Sequence, residues 1–120
     1  IDILAAGIGN IHGQYPANWQ GLDFDALAKI QAACGNMPLV LHGGTGIPDE
    51  KIQKAISCGT CKINVNTECQ LAFNKLLREW IADPKNEKQY DPRKILGPAC
   101  QGIKAAVTEK MHVFGSVNKN

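Results

Sequence analysis

Apolar residues fall into three short continuous runs, each followed by a segment with helical spacing. Ile1 to Ile8 (IDILAAGI) closes at Gly9-Asn10 and has the length and boundary of a buried strand. Pro38 to Leu41 (PLVL) is too short for a helix and stops at His42-Gly43-Gly44, and Cys61 to Val65 (CKINV) is a third strand. After a loop rich in Gly, Asn and Pro, Asp23 predicts the cap of a helix with Phe24, Leu27, Ala28 and Ala32 on one face, ended by Gly35-Asn36. Pro48 fits the first turn of a second helix whose apolar face is Ile52, Ala55 and Ile56. The strongest periodicity belongs to Cys69, Ala72, Phe73, Leu76, Leu77, Trp80 and Ile81, at i, i+3, i+4, i+7, i+8, i+11 and i+12. Thr67 to Gln70 reads as a capping box for that helix, and Asp83-Pro84 as its stop. A polar linker leads to Asp91-Pro92 and a last helix using Ala99, Ile103, Ala106, Val107 and Phe114.

Strand, loop and helix in threefold alternation predict an α/β fold with a parallel sheet and helical crossovers. Three parallel strands leave both faces and both edges to be covered, whereas a complete (β/α)8 barrel takes about 250 residues. The expected architecture is therefore the C-terminal portion of a TIM barrel. It is read as one partial domain, with closing βα units over residues 1–82 and a helical extension over 91–115. A small open α/β sheet is the alternative that length alone favours. A start at Ile1, inside an apolar run, carries the expectation of upstream sequence. Thirteen Lys and Arg against eleven Asp and Glu leave a net charge of +2, which gives no case for nucleic acid or an anionic membrane surface as partner. No apolar stretch approaches the roughly 20 residues of a membrane span. Five cysteines (34, 58, 61, 69 and 100) lack the dense pairing of a disulfide scaffold and read as reduced thiols of a cytoplasmic protein.

In a parallel α/β fold ligands gather beyond the C-terminal strand ends. His12 and His42 follow separate strands, so their imidazoles can converge as two ligands of a catalytic zinc, unless they are two unrelated histidines. His112, beside Met111 and Val113 in the last helix, reads as structural or surface. Gly43, Gly44 and Gly46 leave main-chain N–H groups open just before a helix, and Thr67 stands at the start of another. Both are anion-binding features, or simply a turn and a cap. Cys58 and Cys61 form a CxxC, but one closes a helix and the other opens a strand, the reverse of a redox motif. No second pair completes a structural zinc site, so the two cysteines are expected to have no function.

The segments GNIHGQYP, LVLHGGTGIPDE, CKINVNTECQLAF and YDPRKILGPA, in this order, resemble the class II, zinc-dependent fructose-bisphosphate aldolases, with tagatose-bisphosphate relatives next. The likeness runs from Ile1 to about Gly115 and covers the C-terminal part of that barrel. It implies a glycolytic lyase that reversibly cleaves fructose 1,6-bisphosphate to dihydroxyacetone phosphate and glyceraldehyde 3-phosphate. A tagatose-bisphosphate aldolase, or a non-catalytic metal- and phosphate-binding fragment, is the alternative. By this resemblance His12 and His42 are two of three zinc ligands. Gly13, Gly43, Gly44 and Thr45 contact the phosphate of a phosphorylated ketose. In the next loop, Asn64 to Thr67, Asn64 holds a substrate oxygen, Val65 follows it, and Asn66 and Thr67 help close the phosphate site. The resemblance also implies a monovalent cation (Na+ or K+) near the backbone oxygens of Gly13 and Gly43, and a homodimer or larger assembly. The third zinc ligand and the acidic groups that move protons correspond to positions upstream of Ile1. No proton-transfer residue is therefore expected in this chain. Asn66 points to fructose rather than tagatose bisphosphate, while Gln70 stands where some members carry Arg.

Overall fold

A computed structural model describes residues 1–119, in two compact units that meet in sequence between Asn66 and Thr67. The first holds β1 (Leu4–Ala5), α1 (Phe24–Cys34), β2 (Leu39–Leu41), α2 (Asp49–Ser57) and β3 (Thr60–Ile63). The second holds α3 (Thr67–Ala82), a single 3₁₀ turn (Pro84–Asn86) and α4 (Pro92–Val113).

The three strands form one parallel sheet in the order β1-β2-β3. Leu4 and Ala5 pair with Leu39 and Val40, while Leu39, Val40 and Leu41 pair with Thr60, Lys62 and Ile63. All three residues of the central β2 are buried, as a strand covered on both faces must be. Two strands differ from expectation. The run from Ile1 to Ile8 contributes only Leu4 and Ala5, because β1 has one neighbour and that neighbour is three residues long. β3 begins at Thr60 and ends at Ile63, not over Cys61 to Val65. A register shift opposite Leu39 and Val40 leaves Cys61 out of the ladder, a bulge that bends the strand. The Cys61 thiol instead donates to the Leu39 carbonyl at 3.4 Å.

Asp23 caps α1, its carboxylate accepting from the Ala26 N–H at 2.8 Å. The inward face of α1 is rotated from the one expected. Leu27 is buried and Phe24 half-buried, but Ala28 and Ala32 are exposed while Ile30, Gln31 and Cys34 take their place. Leu27, Ile30, Gln31 and Cys34 repeat at i, i+3, i+4 and i+7, so the larger side chains win the covered stripe over alanine. In α2, Ile52 and Ala55 are buried and Ile56 is half-buried, as their spacing predicts. Pro48 stands just before the helix rather than inside it, its carbonyl accepting from Lys51 and Ile52.

In the second unit the apolar stripe of α3 is half-covered rather than buried, and Ile81 is exposed. α3 packs on α4 at Gly102, where an added Cβ would lie 2.4 Å from the Ala72 carbonyl oxygen, so only hydrogen fits between the helices. Ala99 and Ala106 are buried around this close approach. The Lys110 ammonium meets the Glu68 carboxylate at 3.1 Å, both largely covered, which ties the start of α3 to the end of α4. Asp91 caps α4, and the Arg93 guanidinium and N–H hold its carboxyl below the usual carboxylate value. His112 is exposed in the last turn of α4, where the helix dipole favours a cation.

Candidate active site

Two loops of the first unit, following β1 and β2, run side by side beyond the sheet. Gly43 sets how close they come. Its φ of +66° is left-handed, and a Cβ there would lie 1.8 Å from the Ile11 carbonyl oxygen. Only a residue without a side chain permits both the backbone turn and the approach. His42 immediately follows β2 and His12 lies in the loop after β1, and their ring centroids are 5.5 Å apart with the planes tilted by 50°. An imidazole reaches a zinc ion through one ring nitrogen at about 2.0–2.1 Å, so rings at this separation can share one ion. His42 is half-buried and His12 exposed. Among the described residues, no third His, Cys, Asp or Glu completes a metal cluster with them.

The loop after β3 joins the same site. Asn64 extends the ladder by donating its N–H to the Leu41 carbonyl at 3.0 Å, and its own carbonyl accepts from the Gly44 N–H at 2.9 Å. Its amide nitrogen lies 3.1 Å from Nδ1 and 3.3 Å from Nε2 of His42. The Lys62 ammonium donates to Asn64 Oδ1, which turns the NH₂ end of the amide toward the imidazole. The expected residues therefore separate by place. His12, His42, Gly43, Gly44 and Asn64 stand together on three neighbouring loops, and Gly13 follows His12 in the first of them. The Gly44 N–H is engaged in holding two of those loops together. Thr45 is buried, and Val65 and Asn66 follow Asn64 as half-buried and exposed residues. Thr67 is the first residue of α3, in the second unit.

Three polar residues at this site had no role in the sequence reading. Asn10 donates through Nδ2 to the His42 carbonyl at 3.1 Å and accepts from the Ile8 N–H at 2.9 Å. The Tyr15 hydroxyl accepts from the Ile11 N–H at 3.1 Å and donates to the Gly43 carbonyl at 2.9 Å. Burial raises the Tyr15 phenol above its ordinary value, opposed by the Ile11 bond, so it remains a proton donor. Lys62 is the third, and its signal was present: Lys62 and Asn64 are two apart on an extended segment and share a face. Asn10 and Tyr15 have no such signal, since loop geometry has no period.

Cys58 and Cys61 flank the start of β3, whereas His42 follows the end of the parallel β2. Both are free thiols at the opposite end of the strands from the histidines. Replacing both with serine is expected to leave zinc affinity within about twofold of the parent, read by chelator competition. A tenfold loss would show that this end of the sheet takes part in metal binding.

The family described as fructose-bisphosphate aldolase class-II matches residues 1–119. A fructose-bisphosphate aldolase of Streptococcus pneumoniae serotype 4 is 54% identical over 126 residues, covering 99% of this chain and 43% of its own. This chain thus spans less than half the length of that relative. Among solved structures, the YdjI aldolase from Escherichia coli K12 superposes with a TM-score of 0.79 at 36% identity, covering 98% of this chain and 41% of that one. The fructose-bisphosphate aldolase of Campylobacter jejuni superposes with a TM-score of 0.80 at 26% identity, covering 97% and 40%. These neighbours are TIM-barrel proteins, and they take in both the parallel sheet and the helices that follow it. A match over residues 1–119, nearly the whole chain, places this chain in the class II fructose-bisphosphate aldolase family.

Proposed function

We propose that this chain supplies the phosphate- and metal-binding end of an aldolase that reversibly cleaves fructose 1,6-bisphosphate into two triose phosphates. The observation that carries this reading is the meeting of the His12 and His42 rings, 5.5 Å apart, on adjacent loops of one parallel sheet. Class II aldolases are generally zinc-dependent, and two neutral imidazoles are donors suited to zinc. When bound, zinc supplies Lewis-acid polarisation of the ketose carbonyl. His12 and His42 would hold the ion, with the remaining ligand and the proton-transfer acids on strands outside this chain.

The chain's own residues then position the substrate. The Asn64 amide, turned by Lys62 toward His42, has a second N–H to offer to a substrate oxygen beside the imidazole. Gly13 and Gly43 offer main-chain groups, and Asn66 an amide, to a phosphate, and the family resemblance gives Thr45 and Thr67 the same role. Gly44 serves this site by locking the loops after β2 and β3 together. The Gly13 and Gly43 carbonyls are the candidate ligands of a monovalent cation. A carbonyl has two lone pairs, so the bond from Tyr15 leaves Gly43 one for this purpose. Fixing the three-carbon phosphate unit at one end of the sheet is catalysis by positioning.

Residues 1–82 are assigned to the closing βα units of the barrel and 91–115 to a helical extension. A homodimer or larger assembly and a cytoplasmic location complete the proposal. Among the described residues, no helix is long and apolar enough to cross a membrane.

The test is turnover by the whole polypeptide that contains this segment. It should cleave fructose 1,6-bisphosphate with a higher kcat/KM than tagatose 1,6-bisphosphate, lose activity in EDTA and regain it with zinc. Cleavage that EDTA leaves intact, or none with zinc supplied, would overturn the reading.

A further inference from the structure

The two histidine loops are joined by two side chains that start on the same loop and end on consecutive carbonyls of the other. Asn10 ties the Ile8 N–H to the His42 carbonyl. Tyr15 ties the Ile11 N–H to the Gly43 carbonyl. In each case one polar group anchors the strut to its own loop while a second reaches across, so both ends are fixed. His12 lies between Asn10 and Tyr15 in sequence, and His42 carries one of the two carbonyls. The backbone carrying one imidazole is thereby tied to the backbone carrying the other at two points.

The Tyr15 strut is itself braced. Its ring packs on Trp19 with centroids 4.2 Å apart, and the Trp19 indole N–H donates to the Gly9 carbonyl at 2.8 Å. The Lys51 ammonium sits 5.1 Å from the centre of the Trp19 ring, closing the stack from α2. A tyrosine needed only for packing would require neither of its hydroxyl bonds.

We propose that Asn10 and Tyr15 are positioning residues that set the spacing of the His12 and His42 imidazoles in advance of metal binding. Metal affinity then depends on two side chains that do not touch the ion. This rests on the metal reading above. Without the struts, the two loops must be ordered when the ion binds, and that entropic cost weakens affinity. Loss of a group that orients a metal ligand typically costs about 10–100-fold in affinity.

The test uses the whole polypeptide that contains this segment. Tyr15→Phe keeps the ring stacked on Trp19 and removes only the hydroxyl. It should raise the zinc Kd, measured by chelator competition, by about 10–100-fold. It should also change the visible absorption of the cobalt(II)-substituted protein, which reports ligand geometry and which a distant packing role would leave alone. Asn10→Ala removes the other strut and should do the same, which keeps the proposal testable if Tyr15→Phe fails to fold. Zinc affinity within twofold of the parent and an unchanged cobalt spectrum in the folded variants would overturn it. His42→Ala separates the two failures: if that variant keeps full zinc affinity, the metal reading itself is wrong.

Discussion

In the whole polypeptide proposed above, replacing His42 with alanine is expected to remove zinc and to lower aldol cleavage by about 10³-fold or more. A Lewis-acid metal contributes several kcal/mol of charge stabilisation, and each 1.36 kcal/mol is tenfold in rate. His42 is the better held of the two imidazoles. Its carbonyl is gripped by Asn10, its ring faces the Asn64 amide, and it is half-buried, whereas His12 is exposed. A rigid ligand loses little freedom on binding, so its removal costs nearly the whole of its bond to the metal. The fold should persist, because β2 keeps its ladder through Leu39 to Leu41 and those residues are buried independently of the ring. Metal content by atomic absorption, with circular dichroism as the check on folding, decides the matter. His112→Ala is the control, since that ring is exposed near the C-terminal end of α4. Full zinc content in folded His42→Ala would sink the assignment.

Local chemistry explains which parts of this structure were legible in the sequence. Strand β2 and helix α2 were readable because each is governed by one dominant signal. Leu39 to Leu41 are buried on both sides, and Ile52 with Ala55 repeats at helical spacing. The inward face of α1 is not legible because alanines fit either side of a helix, and the tertiary setting selects Ile30 and Cys34. The bulge at Cys61 left no mark in composition, since a register shift depends on the partner strand. The meeting of His12 and His42 follows from topology, because residues after adjacent parallel strands share one end of the sheet. The struts from Asn10 and Tyr15 depend on how an irregular loop folds back, which no periodicity records. Gly43 stands in a visible glycine cluster, yet its closeness to Ile11 arises only in the folded chain.

That closeness makes Gly43 the most sensitive backbone position of the site, and Gly43→Ala should separate the two histidine loops. Two costs add. The left-handed φ of +66° disfavours any L side chain, by roughly 1–2 kcal/mol. The new methyl would also stand 1.8 Å from the Ile11 carbonyl oxygen, where no side chain can give way because the obstacle is backbone. Relief requires the loop after β1 to move by more than an ångström, the order of displacement that can cost about 10²-fold in a positioned site. That movement would stretch the Tyr15 and Asn10 bonds and pull His12 from His42. Gly46→Ala isolates the second cost. Its φ of +78° carries the same conformational penalty, but the nearest atom to its Cβ is Tyr15 Cδ2 at 3.8 Å, an ordinary contact. Gly46→Ala should therefore lose stability in urea with zinc affinity nearly intact, and Gly43→Ala should lose both, its zinc Kd rising by about 10–100-fold. Equal zinc affinities in the two variants would show that the approach of the loops does not set the metal site.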